Sequence, residues 1–74
     1  MVKVSAVRTG AKIKIQIYKS GLSTNYIASS LGYSDRSIIN RWSRGETVPS
    51  YENLVNLAIV LKCKIADLVA FEDE

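Results

Sequence analysis

The sequence predicts an all-α domain built from five short helices. Three observations predict it: serines precede the amphipathic segments, glycines follow them, and apolar residues recur every three or four positions. The chain has 74 residues, of which 47% are hydrophobic and 23% charged, and this composition is typical of one folded domain. We divide it into an N-terminal arm over residues 1–10, a helical core over residues 11–69 and an acidic tail over residues 70–74.

The first helix is expected to run from Ala11 to Lys19. Ile13, Ile15 and Ile17 alternate as in a strand, although the first and last of them also share a helical face. The helical segments that follow favour a helix here too. Gly21 supplies its C-terminal stop.

The second and third helices are predicted on either side of a tight turn. Ser23 is positioned to cap the second helix, which ends at Gly32, and either Ser34 or Asp35 caps a third helix that runs through Arg44. The residues expected on the buried sides of these two helices are Ile27, Ala28, Leu31, Ile39 and Trp42.

The fourth helix has the clearest pattern in the chain. Pro49 interrupts the preceding segment and Ser50 follows as an N-cap, so the helix is expected over residues 51–61. A last short helix follows it. The core positions expected in these two helices are Leu54, Leu57, Ala58, Leu61, Ile65, Leu68 and Val69.

Charge is distributed unevenly along the chain. Eight basic residues and one acid precede residue 46, whereas two basic residues and six acids follow residue 45. The first part of the chain is therefore suited to bind a polyanion.

The composition also argues against several classes of function. The chain has no histidine and one cysteine, so we expect no metal and no cofactor. No carboxylate pair or activated nucleophile is apparent, and we expect a protein that is not an enzyme. Apolar runs are too short for a membrane span and no signal peptide is visible, which predicts a cytoplasmic protein.

An ordered set of short motifs resembles the helix-turn-helix family of phage repressors and Cro-like proteins, also called the Xre family. These motifs are Gly21-Leu22-Ser23, Ile27-Ala28, Leu31-Gly32, Ile39, Arg41-Trp42-Ser43-Arg44-Gly45, Pro49-Ser50, Leu54 and Leu57-Ala58. The resemblance covers residues 11–69. It implies a sequence-specific, DNA-binding regulator of transcription, by resemblance a phage or mobile-element product, whose third helix enters the major groove of duplex DNA.

The resemblance also implies residues for the DNA interface. The positions that match base-contacting positions of the family are Arg36, Ser37 and Arg41. The residues expected to contact the DNA backbone are Thr24, Asn25, Ser34, Arg44 and Thr47. Because one short helix reads few base pairs, a homodimer is expected, with the C-terminal segment around Val69 and Phe71 as its candidate surface.

Three departures from the family pattern leave a second hypothesis open. Thr24 replaces a common glutamine, the interval from Gly32 to Trp42 is one residue longer than usual, and Ile38 replaces a small polar residue. On an outward face, Ile38 would contact a thymine methyl group or, together with Tyr33, form a surface for another repressor protein. In the latter case the chain would be an antirepressor or a modulator of a repressor.

Overall fold

The computed structural model describes residues 2–72 as four α-helices and one short 3-10 turn. The helices are α1 (Ala6–Ser20), α2 (Thr24–Ser30), α3 (Ser37–Ser43) and α4 (Tyr51–Leu61), and the 3-10 turn spans Ile65–Asp67. The all-α class is confirmed. No helix in the described part of the chain is long and apolar enough to cross a membrane.

The fifth predicted helix is only a single 3-10 turn, which corrects the predicted helix count. The Asp67 carboxylate accepts the Lys64 backbone N–H at 3.0 Å, and Leu68 N–H bonds back to the carbonyl of Ile65 at 2.8 Å. Leu68 is fully buried at this point. Val69 N–H also bonds to the carbonyl of Ile65, at 3.2 Å, and from Ala70 onwards the chain pairs with the N-terminal segment.

The first helix begins at Ala6, five residues earlier than predicted. Ser5 is its N-cap, and its Oγ accepts the Arg8 backbone N–H at 3.1 Å. The alternating apolar residues near the N-terminus are typical of an extended segment, so Ser5 was not predicted as a cap. The helix is also held from outside, since the buried Thr9 hydroxyl bonds to both the N–H and the carbonyl of Ala70, at 3.0 and 3.2 Å.

The remaining arm pairs with part of the predicted tail. Val4 and Phe71 form an antiparallel bridge. Ser5 N–H donates to the carbonyl of Ala70 at 2.9 Å, and the N–H of Glu72 donates to the carbonyl of Lys3 at 2.8 Å. Residues 70–72 are thus tied to residues 3–5, while residues 73–74 of the predicted tail lie outside the described residues.

The predicted N-caps of α2 and α4 and the predicted stop of α1 are confirmed. Ser23 Oγ accepts the N–H of Tyr26 at 3.0 Å, and Ser50 Oγ accepts the N–H of Asn53 at 3.2 Å. Gly21 ends α1 with a φ of 72°, a left-handed conformation that glycine adopts at little cost.

The core is a single apolar cluster to which every helix contributes. Its members are Ile13, Ile27, Ala28, Ile39, Trp42, Leu54, Leu57, Ala58, Leu61 and Leu68. Of the predicted core positions, Leu31, Ile65 and Val69 pack against this cluster while remaining partly exposed. Because α3 supplies Ile39 and Trp42, the core fixes the rotation of α3 about its own axis and thus decides which of its side chains face outwards.

Candidate nucleic-acid interface

The turn between α2 and α3 is held by the end of α2. The N–H groups of Gly32 and Tyr33 donate to the carbonyls of Ser29 and Ala28, each at 3.0 Å. Gly32 has a φ of 90°, which allows the chain to leave the helix sharply. After this turn, α3 packs against α1 and α2.

The N-cap residue of α3 is Arg36, whose side chain makes no capping hydrogen bond, which corrects the predicted N-cap at Ser34 or Asp35. The first residue of the helix is bonded instead by the side chain of Asp35, the residue before the N-cap. Asp35 Oδ1 accepts the backbone N–H of Ser37 at 2.8 Å and the Ser37 hydroxyl at 2.5 Å. These bonds lower the pKa of Asp35, because they stabilise the charged carboxylate, with the hydroxyl bond as the larger cause. Arg36 lies between the two residues and is exposed, so its guanidinium stands at the start of α3 on the solvent side.

One face of α3 is apolar and buried, and the opposite face is polar and exposed. Ile39 and Trp42 are buried, with 0% and 2% of their surfaces exposed. Ser37 and Arg41, four residues apart, are both exposed and share the opposite face. The predicted base-contacting residues on α3 therefore lie on its solvent side.

Asn40 belongs to the same face and was missed by the sequence interpretation. It follows Ser37 by three residues, a spacing that places two side chains on one side of a helix, and it is half-buried. An asparagine amide pairs with adenine through two hydrogen bonds. The helical period counted from Ser37 was the signal that would have found it.

Ile38 does not lie on the outward face, which corrects the prediction. It is half-buried and packs against the core cluster. The physical reason is that Ile38 precedes Trp42 by four residues, so the two side chains share a face of α3. Its apolar side chain is accounted for by this packing.

Tyr33 is also engaged with the domain. Its ring meets the ring of Trp42 edge to face, with centroids 6.2 Å apart and an interplanar angle of 83°. Its hydroxyl accepts a hydrogen bond from Asn53 Nδ2 at 2.9 Å. Tyr33 thereby connects the turn to both α3 and α4.

The residues predicted to contact the DNA backbone lie on three segments. Thr24 and Asn25 form the start of α2, where the first is half-buried and the second exposed. Ser34 is exposed in the turn before α3, and Thr47 is half-buried after it. Arg44 is the C-cap residue of α3. Along the sequence, these residues therefore lie before and after the helix that carries the predicted base contacts.

A carboxylate lies between two of the predicted arginines. Glu46 Oε2 is 2.6 Å from Arg44 Nε, and Glu46 Oε1 is 3.7 Å from Arg41 Nε. The hydrogen bond from Arg44 is the main cause of a lowered pKa of Glu46, which keeps the carboxylate charged. Sequence interpretation treated Glu46 only as part of the acidic half of the chain.

The turn, the buried side of α3 and its polar outer side define a DNA-binding helix-turn-helix domain. Residues 14–68 match the family model HTH_3, described as helix-turn-helix, and the chain belongs to this family. A solved structure with a similar fold is the restriction-modification controller protein C.AhdI from Aeromonas hydrophila. The two chains are 28% identical with a TM-score of 0.78, and the match covers 86% of this chain and 91% of that one.

No curated protein matches this chain. The family match and the structural match confirm both the predicted resemblance and the predicted class of function. The chain is a sequence-specific, DNA-binding regulator of transcription.

Proposed function

We propose that this regulator binds a two-fold symmetric operator as a homodimer and controls transcription by occluding a promoter. The observation that carries the proposal is the orientation of α3, whose apolar side is buried while Ser37 and Arg41 face solvent. The proposed mechanism involves binding alone, with no catalysis, metal or cofactor.

The exposed face of α3 supplies the proposed base contacts. Arg36 and Arg41 each carry a planar guanidinium that donates two hydrogen bonds to O6 and N7 of guanine. Ser37 contributes its hydroxyl oxygen as an acceptor, and Asn40 adds an amide suited to adenine. The side chains that we assign to phosphate contacts are Thr24, Asn25, Ser34, Arg44 and Thr47, which set position and affinity.

A dimer follows from the size of α3. A helix of seven residues contacts few base pairs, and a second copy one turn of DNA away, about 34 Å, doubles the site that is read. Val4 and Phe71 are paired at the chain ends and are 41% and 53% exposed. These apolar side chains support the C-terminal segment as the dimer surface.

The matched controller protein supports a similar regulatory role within a small genetic system, whether a restriction-modification system or a mobile element. Because DNA is the partner, we propose the cytoplasm as the site of action. The antirepressor alternative had relied on an outward Ile38, which packs against the core instead. We therefore favour DNA over another repressor as the main partner.

Selection from a randomised duplex pool at moderate salt tests the proposal. The wild-type chain is expected to enrich a two-fold symmetric site, because two copies of α3 would read equivalent half-sites. The Arg36→Ala, Arg41→Ala double variant serves as the control and is expected not to enrich it. Recovery of unrelated sequences by both proteins would contradict the proposal.

Arg44→Ala is expected to weaken binding to all duplexes to a similar degree, because Arg44 is assigned to a phosphate. The slope of log K against log salt concentration should become shallower by up to about one. Titrations at several salt concentrations with the selected duplex and an unrelated one measure both effects. A loss confined to the selected duplex would instead identify Arg44 as a base reader.

A further inference from the structure

We infer that Glu46 increases sequence specificity by pairing with Arg41 and Arg44 at the end of α3. It holds two arginines of the DNA interface side by side and offsets their attraction to any phosphate. The inference rests on the proposed function and assigns a role to an acidic residue within that same interface.

The backbone holds Glu46 in place for this role. Gly45 has a φ of 77°, which reverses the chain after α3, and Glu46 N–H then donates to the carbonyl of Arg41 at 3.0 Å. The carboxylate therefore reaches both guanidinium groups from a segment that is itself bonded to the helix. Glycine is required at this reversal, because a Cβ on Gly45 would lie 2.8 Å from the Cα of Val7.

Glu46 contacts both arginines through Nε, which leaves their terminal NH2 groups able to donate to DNA. Glu46 approaches each guanidinium at Nε, at 2.6 Å for Arg44 and 3.7 Å for Arg41. Among the described residues, the only side-chain hydrogen bond of these two arginines is the one from Arg44 Nε to Glu46. A guanidinium held at Nε still donates both terminal groups to a guanine or a phosphate, in an orientation that Glu46 restricts.

The negative charge of Glu46 weakens non-specific DNA binding more than it weakens specific binding. The two arginines and Glu46 carry a net charge of +1, which would be +2 without the carboxylate. Non-specific affinity depends almost entirely on such charges, whereas specific binding also requires oriented hydrogen bonds. Glu46 thus lowers affinity for unrelated DNA while supporting the geometry needed at the operator.

Glu46→Gln is expected to tighten binding to an unrelated duplex by about three- to tenfold and to tighten binding to the selected duplex less. The ratio of the affinity for the selected duplex to that for the unrelated duplex should therefore fall, by a factor of up to about ten. Both dissociation constants are measured by titration of labelled duplexes at two salt concentrations. Because Glu46 is about half exposed, the folded state should persist, and thermal melts of Glu46→Gln and Glu46→Ala verify it.

Glu52→Gln is the matched control, since it removes the same charge from an exposed residue of α4 that forms no ion pair with either arginine. It should leave the affinity ratio within about twofold of wild type. In an Arg44→Ala background the effect of Glu46→Gln should shrink, because one of its two partners is gone.

The outcomes separate this inference from the proposed function. If the wild-type chain itself shows no preference between the two duplexes, the proposed function fails and the inference with it. If the wild type discriminates and Glu46→Gln discriminates equally well, only the inference is overturned. An equal fall in Glu52→Gln would also overturn it, because net charge alone would then explain the result.

Discussion

Gly10→Ala is expected to destabilise the domain by about 1–3 kcal/mol, although it exchanges glycine for the best helix former inside α1. On an exposed helix the same exchange stabilises by about 1 kcal/mol. Here a Cβ would overlap the carbonyl oxygen of Trp42 and lie 2.8 Å from that of Ser43. These are backbone atoms of α3, so α1 and α3 must separate to make room.

Urea denaturation followed by circular dichroism measures the effect on the free energy of unfolding. Gly32→Ala is the control, because a Cβ there meets nothing within 4 Å and the cost comes from a φ of 90° alone, about 1–2 kcal/mol. Gly10 has no such left-handed φ, which makes its cost purely steric. A rise in stability for Gly10→Ala would show that α1 and α3 are not packed this closely.

The Arg36→Ala, Arg41→Ala double variant is expected to lose most of its preference for the selected operator. Each bidentate contact with guanine contributes about 1–3 kcal/mol of discrimination. Two lost contacts per copy correspond to a decrease in affinity of about 30-fold to 10⁴-fold for each half-site of the operator. Affinity for unrelated duplexes should fall much less, because their binding depends on charge rather than on base contacts.

The Lys14→Ala, Lys19→Ala double variant is the matched control. It also removes two positive charges, but from exposed positions on α1. We expect similar losses for both duplexes in this variant, and therefore an unchanged preference. Titrations of the two double variants with the operator and an unrelated duplex decide the matter, and equal loss of preference in both would refute the assignment of Arg36 and Arg41.

Local signals in the sequence were sufficient for most of the helices. Ser23, Ser50 and Gly21 act within one turn of their own positions, so their roles as caps and stops could be predicted without tertiary information. The start of α1 was predicted incorrectly. Its cap, Ser5, lies in a segment that pairs with residues more than sixty positions away, and the alternating pattern of that segment reflects the pairing.

The candidate interface was predictable in part. The polar positions of α3 followed from the family resemblance, and the structure places Ser37 and Arg41 on its exposed side. Ile38 was assigned to the wrong face because the sequence alone did not define the width of the buried side. Asn40 was overlooked although its spacing of three residues from Ser37 could have indicated it.

The sequence by itself determined the all-α class, most of the helix boundaries, the core residues and the family of regulators to which the chain belongs. Caps, stops and apolar periodicity are short-range properties, so a linear sequence displays them directly. Only the tertiary structure decided the rotation of α3, the pairing of the chain ends and the contacts of Glu46 with Arg41 and Arg44. These features depend on packing between distant segments and on a backbone reversal at Gly45, which set the distances between side chains.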